Sequence, residues 1–155
     1  MKKQVWGNAT WYLFHTLAYK LKPEFTSEVP IIFNHIKTIC DNLPCPDCQA
    51  HATQFLAQVN VPLIISSKEN LINFLHAFHN NVNKRIGNRE FSKIEHDNVY
   101  SRAITHNVIK YFLSIMDQNI HNEKLMMLSF HRKRAVKIIS KSAYNADTQP
   151  LFLSN

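Results

Sequence analysis

The sequence predicts an all-α fold, a compact helical bundle, on three observations. Only two glycines, Gly7 and Gly87, occur in 155 residues, too few for a β-rich chain with many tight turns. Apolar residues recur at three- and four-residue spacings along most of the chain, as they do in helices that bury one face. Prolines and serines fall where those runs begin, the places where helices start.

The elements follow in order. Trp11, Phe14, His15 and Ala18 share one face of a first helix that ends near Lys22-Pro23. Ser27-Glu28-Val29-Pro30 opens a second, which carries Ile32, Ile36, Ile39 and Cys40 towards Pro44. A third begins at Pro46, a residue suited to a first helical turn, and passes Phe55 and Leu56 to about Val59. Ser67 caps a fourth, with Leu71, Phe74, Leu75, Phe78 and Val82 as its stripe, and Gly87 stops it. Ser92 or Lys93 opens a fifth through Tyr100, Ile104 and Val108 to Ile115. Residues 122–141 are expected to form a sixth helix, apolar through Leu125, Leu128, Val136 and Ile139, and residues 142–155 a polar tail.

Composition narrows the class. With 45% hydrophobic and 19% charged residues the chain is globular, not disordered. No apolar run approaches the ~18–20 residues of a membrane span, and Met1-Lys2-Lys3-Gln4-Val5-Trp6 lacks a signal-peptide core. A cytosolic chain is the expectation. The net charge is +7, with Arg132, Lys133, Arg134, Lys137 and Lys141 grouped near the C-terminus. Such a run serves as a solvated face or as a contact for nucleic acid, an acidic partner or an anionic membrane. Three cysteines exclude a disulfide-stapled secreted scaffold and leave redox chemistry or metal binding.

Three clusters carry candidate chemistry. Cys45-Pro46-Asp47-Cys48 places two thiols at the first turn of the third helix, where they can close a disulfide and where the helix N-terminus favours a thiolate. His51 lies one turn beyond Cys48. Trp11 and His15, four apart, put an indole and an imidazole on one helical face. His79 and Asn83 project together from the fourth helix beside Asn80 and Lys84, offering donors and acceptors suited to a purine edge and a cation suited to phosphate. Amides buried there without a ligand would be left unpaired at a cost. Two ligands compete: zinc on Cys45, Cys48, His76 and His79, giving a helical module that binds nucleic acid through its basic end, or a flavin or nucleotide facing the dithiol.

The three clusters, in order, resemble the flavin-linked sulfhydryl oxidases of the Erv/ALR family: Gly7-x-x-Thr10-Trp11-x-x-x-His15, then Leu43-Pro44-Cys45-x-x-Cys48-x-x-His51, then His79-Asn80-x-Val82-Asn83-Lys84. The likeness covers roughly residues 4–102 and is greatest to members with one thiol pair from large cytoplasmic DNA viruses. It implies a four-helix bundle with a short fifth helix binding FAD, usually a homodimer, as a domain over residues 1–102. Residues 103–155 would be a basic, partly helical extension. It implies catalysis by Cys48, packed against the flavin, and Cys45, the exposed partner that meets the thiol substrate. Trp11, His15, His79 and Asn83 would enclose the adenine, and Gly7 would admit the cofactor to the backbone. Asn80, Lys84 and Tyr100 would contact nucleotide or phosphates, and His51 would lie beside the flavin. No metal is implied. Electrons would pass from a dithiol to FAD and on to oxygen, giving hydrogen peroxide, in host cytoplasm or virion and without a role for nucleic acid. The chain lacks the second Cys-x-x-Cys of many members, so a thioredoxin-like or small dithiol carrier is the expected partner. Phe74 replaces a family tryptophan, and Cys40 matches no catalytic position.

Overall fold

The computed structural model describes residues 2–116 and 152–153. Among them lie seven α-helices and no strand: α1 (Lys3–Lys20), α2 (Val29–Cys40), α3 (Pro46–Leu56), α4 (Val61–Ile64), α5 (Lys68–Arg85), α6 (Lys93–Tyr100) and α7 (Thr105–Met116), with a 3-10 turn at Pro23–Glu28. The all-α expectation holds.

Helix α1 is the centre of the bundle. Every residue from Leu13 to Ala18 is buried, because α1 packs against α2, α5, α6 and α7. A helix covered on all sides needs no polar face. Two of its buried polar side chains find backbone partners, whereas Thr16 Oγ1 and His15 Nδ1 have none. The Thr10 hydroxyl donates to the Trp6 carbonyl at 2.8 Å, and buried Lys20 donates to the Ser101 carbonyl at 2.6 Å. At the end of α1, the Leu21 carbonyl accepts from Lys68 Nζ at 2.8 Å.

The helices start where the sequence marks them. Pro46 stands in the first turn of α3, and Cys45 is its N-cap, its Sγ accepting the Cys48 N–H at 3.3 Å. Ser67 Oγ accepts the Asn70 N–H at 3.0 Å ahead of α5. At the other end Gly87 has φ 75°. The Asn88 N–H reaches the Asn83 carbonyl at 2.8 Å and the Gly87 N–H the Lys84 carbonyl at 3.3 Å, a Schellman stop. Ser92 and Glu95 exchange hydrogen bonds in a capping box at the start of α6. Two expected lengths shorten: α2 ends at Cys40 and α3 at Leu56. The short helix α4, with Asn60 Oδ1 capping the Leu63 N–H at 3.2 Å, was not anticipated.

The expected fifth helix is two. Tyr100 faces α1 at the end of α6, whereas α7 buries Ile109, Phe112, Ile115 and Met116. At 3.6 residues per turn, Ile109 lies roughly 180° around a straight helix from Tyr100. One continuous helix would therefore turn one of the two sets into solvent. The chain turns at Ser101–Ile104 instead, leaving Ile104 exposed and setting the apolar face of α7 into the same core as α1. That turn falls at the edge of the segment read as the domain.

The expected sixth helix lies outside the described residues. Of the expected polar tail, only Phe152 and Leu153 are among the described residues. Phe152 forms an antiparallel bridge with Leu21 and packs partly against the core. The Leu153 N–H donates to the Lys20 carbonyl at 2.8 Å, and Thr105 Oγ1 donates to the Leu153 carbonyl at 2.7 Å. An apolar side chain and free helix-end carbonyls explain the docking.

Gly87→Ala forces a side chain into the left-handed region and is expected to cost about 1–2 kcal/mol. A urea-unfolding midpoint unchanged from the parent would show that the turn does not require glycine.

Candidate active site

A cavity of about 620 Å³ opens between the N-terminal half of α1, the first turns of α3 and the C-terminal half of α5. Cys45 and Cys48 are joined as a disulfide at the N-terminus of α3. Cys48 lines the cavity and Cys45 does not. The half-buried pair therefore straddles the edge of the cavity, with Cys48 on its wall and Cys45 beyond it. The helix N-terminus behind them favours negative charge on either sulfur once the bond opens. His51 lines the same wall. Burial first, and then the charge of Arg85, lower its pKa, so it is neutral near pH 7.

Opposite lies an aromatic wall. Trp11 stacks on His79, with centroids 4.2 Å apart and planes within 8°, and the edge of Phe78 closes on Trp11 at 5.2 Å. Phe78 is held in turn by Phe55, stacked at 4.6 Å. Next to His79 on α5, Asn83 is buried and lines the cavity, and its Nδ2 has no hydrogen-bond partner. An amide donor buried that way calls for an acceptor from outside the protein.

The wheel of α5 sorts the remaining expected residues. The rows His79–Asn83 and Phe78–Val82–Arg85 face the cavity, while the row His76–Asn80–Lys84 does not. Asn80 spends its amide on backbone, its Oδ1 accepting from the Phe91 N–H at 2.9 Å and its Nδ2 donating to the Phe91 carbonyl at 2.8 Å. Lys84 is exposed on the outer side, and Lys3 and Arg85 are the cations that reach the cavity. Gly7 lines it, with open space where a Cβ would project. Arg85 could have been found by extending the α5 wheel from Phe78. Lys3, from a first turn of α1 with no apolar pattern, had no such signal.

His15 is fully buried and stands behind the wall. Its Nε2 lies 3.0 Å from His79 Nδ1 and 3.0 Å from His96 Nε2, and Tyr100 stacks over its ring at 4.3 Å. His15 and Tyr100 thus touch the wall from the rear and do not line the cavity. His96 was missed by sequence reasoning. The signal available was its position four residues before Tyr100 on one face of α6. Burial first, then the neighbouring imidazoles, holds the pKa of His15 well below the usual range. Burial likewise takes His79 and His96 down to about 4.

The zinc set expected as an alternative is not assembled. Cys45 and Cys48 are bonded to each other, His76 Nε2 lies 2.8 Å from the Phe91 carbonyl, and His79 turns to His15. Cys40 is buried at the cavity wall, where burial raises its thiol pKa.

Residues 8–101 match the Erv1 / Alr family model. The chain belongs to the Erv1/Alr family. A relative named as an FAD-linked sulfhydryl oxidase, from Invertebrate iridescent virus 3, is 34% identical over 54% of this chain. The match spans 57% of that relative, just over half its length. FAD-linked sulfhydryl oxidases from two African swine fever virus isolates, Malawi and Kenya, are each 32% identical. Those matches cover 68% and 64% of this chain and 87% and 82% of the relatives. No solved structure matches the chain.

The histidine pKa values predict how stability depends on pH. His79 and His96 titrate near 4 when folded and near ~6.5 when unfolded, so the unfolded chain binds more protons between those values. Stability is then flat above about pH 6.5 and falls steadily towards pH 4. Urea midpoints in chelator-treated buffer check this, and a midpoint independent of pH across that window would contradict it.

Proposed function

We propose that this chain is an FAD-dependent thiol oxidase that forms disulfides in a partner protein and delivers the electrons to oxygen as hydrogen peroxide. The observation that carries the reading is the placement of one disulfide at the edge of the cavity, with Cys48 on its wall and Cys45 beyond it. The residues present fit a flavin dinucleotide. The Trp11–His79 stack offers a flat face, Asn83 Nδ2 an unspent donor, and Lys3 and Arg85 positive charge for phosphates. Trp11, His79 and Asn83 hold the adenine on this reading, and His15 and Tyr100 brace them from behind. Gly7 leaves room at the wall, and His51 lies beside the reactive ring. Asn80 fixes the backbone at Phe91, and Lys84 stands on the outer side of α5 away from the cavity.

The chain's own part of the chemistry is thiol–disulfide exchange. A partner thiolate attacks Cys45 Sγ, the Cys45–Cys48 bond breaks, and Cys48 leaves as a thiolate supported by the N-terminus of α3. The partner's second thiolate then displaces Cys45, closing the partner's disulfide and leaving both active-site sulfurs reduced. His51, kept neutral, is available to take up a proton at a ring nitrogen. Bound FAD supplies the acceptor for the two electrons and their route to oxygen. Relatives with this printed activity come from viruses, and host cytoplasm or virion is the setting this reading adopts. No helix among the described residues is long and apolar enough to cross a membrane. A homodimer and a thioredoxin-like or small dithiol carrier complete the proposal.

Purified protein should be yellow, with one FAD per chain, and should consume oxygen with a model dithiol. Cys48→Ser should retain flavin and lose oxygen consumption by at least 100-fold; a colourless parent protein or an active variant refutes the reading. Asn83→Leu removes a buried donor that the protein itself leaves unpaired. Flavin-free stability should hold or rise while flavin affinity drops about tenfold or more, as for loss of one hydrogen bond worth about 1–2 kcal/mol. Equal flavin retention would remove Asn83 from the site. A Cys48→Ala chain that keeps Cys45 should capture the carrier as a mixed disulfide, and capture undiminished by adding Cys45→Ala would contradict the role given to Cys45.

A further inference from the structure

We infer that His15, His79 and His96 form a binding site for one divalent transition-metal cation of the zinc class, set behind the cavity and compatible with a bound flavin. The three ligand nitrogens come from three helices, α1, α5 and α6, and all lie within 4.8 Å of one another. His15 Nε2 is 3.0 Å from both His79 Nδ1 and His96 Nε2. Tetrahedral zinc with Zn–N bonds of about 2.0–2.1 Å separates its ligands by roughly 3.3 Å, so two of the three edges need move only a few tenths of an ångström.

The hydrogen-bonding arithmetic favours a cation. An imidazole nitrogen has one in-plane site, filled by either a lone pair or a proton, yet His15 Nε2 faces two partners at the same short distance. The tautomer of His96 is set from behind. Asp97 accepts from the Tyr19 hydroxyl and from Lys93 Nζ; Tyr19 Oη accepts from Lys93 Nζ at 3.3 Å, and its second lone pair is open to His96 Nδ1 at 3.5 Å. His96 Nδ1 then carries the proton, and its Nε2 presents a lone pair to the cluster. A single proton on His15 Nε2 would have to be divided between His96 and His79. A cation in its place accepts three lone pairs at once. His15 Nδ1 is buried without a partner, so nothing holds the proton on one particular nitrogen of that ring. It can sit on Nδ1 and free Nε2 for the metal without net proton loss.

The second shell and the access route agree. Ligand histidines in metal sites donate their second ring N–H to a neighbouring acceptor, and Tyr19 Oη, itself bonded to Asp97 and Lys93, stands in that position behind His96. His79 lines the cavity whereas His15 and His96 do not. A cation therefore enters past His79 and sits on its far side, leaving the ring face that stacks on Trp11 in place. Three protein ligands leave a fourth position for water.

The test uses the full chain, oxidised and loaded with flavin, incubated with zinc sulfate, then desalted and assayed for zinc by atomic emission and for flavin by absorbance. One zinc per chain is expected, with X-ray absorption showing nitrogen and oxygen neighbours near 2.0 Å and no sulfur. Zinc should be lost in His96→Asn and kept in Cys45→Ser/Cys48→Ser and in a variant of the two histidines that follow α7 in sequence, His121→Asn/His131→Asn. No zinc in the folded parent, sulfur in the absorption spectrum, or zinc undiminished in a His96→Asn chain of parental helicity overturns the inference. If His96→Asn fails to fold, His96→Cys, which keeps a ligand, should retain the metal with one sulfur neighbour, and a metal shell without that sulfur overturns the inference. Because flavin is read separately, a colourless chain that still holds zinc sinks the oxidase reading alone.

Discussion

Burial of α1 on every side is the constraint from which the architecture follows. A helix with no solvent face from Leu13 to Ala18 must be surrounded, and α2, α5, α6 and α7 surround it. Each neighbour then has its inner face dictated by what α1 presents at that level. Leucine and phenylalanine at the centre meet the apolar stripes of α2, α5 and α7. Beside them Trp11 and His15 meet Phe78 and His79 of α5, and at the C-terminal end of α1 Tyr19 meets His96 of α6. The aromatic wall of the cavity is thus an extension of the core, which gives it rigidity that a loop-built site lacks.

Against that wall the thiol pair stands on a short helix whose cap is one of the reactive residues. While the disulfide is closed, Cys45 Sγ accepts the N–H of Cys48, so the cap and the redox bond share atoms. Breaking the bond alters the electrostatics of the helix end that must then support a thiolate. The buried, unpaired amide of Asn83 is a second place where the fold forgoes local satisfaction. Such departures from full polar pairing concentrate at functional sites.

Much of this was legible in the residues. Helix starts at Pro46 and Ser67 and the stop at Gly87 depend on local chemistry: a fixed φ, a side-chain acceptor and a positive φ. The four-residue spacing of Trp11 with His15 and of His79 with Asn83 puts each pair on a common face by helical periodicity alone. Periodicity is ambiguous where a helix carries two neighbouring polar rows. Asn80 and Lys84 are one row away from His79 and Asn83, and spacing alone cannot say which row looks inward. The break between α6 and α7 was equally hidden, because Tyr100, Ile104 and Val108 keep a helical period through a turn.

By itself the sequence determined the helical class, the ends of most helices and the identity of the thiol pair, since each rests on interactions between residues a few positions apart. Only the tertiary structure decided that Arg85 and Lys3 reach the cavity, that Asn80 and Lys84 turn away from it, and that His96 joins His15 and His79. Those outcomes depend on how helices distant in sequence turn towards one another. That orientation is set by the summed burial of their faces against α1, a quantity no local pattern contains.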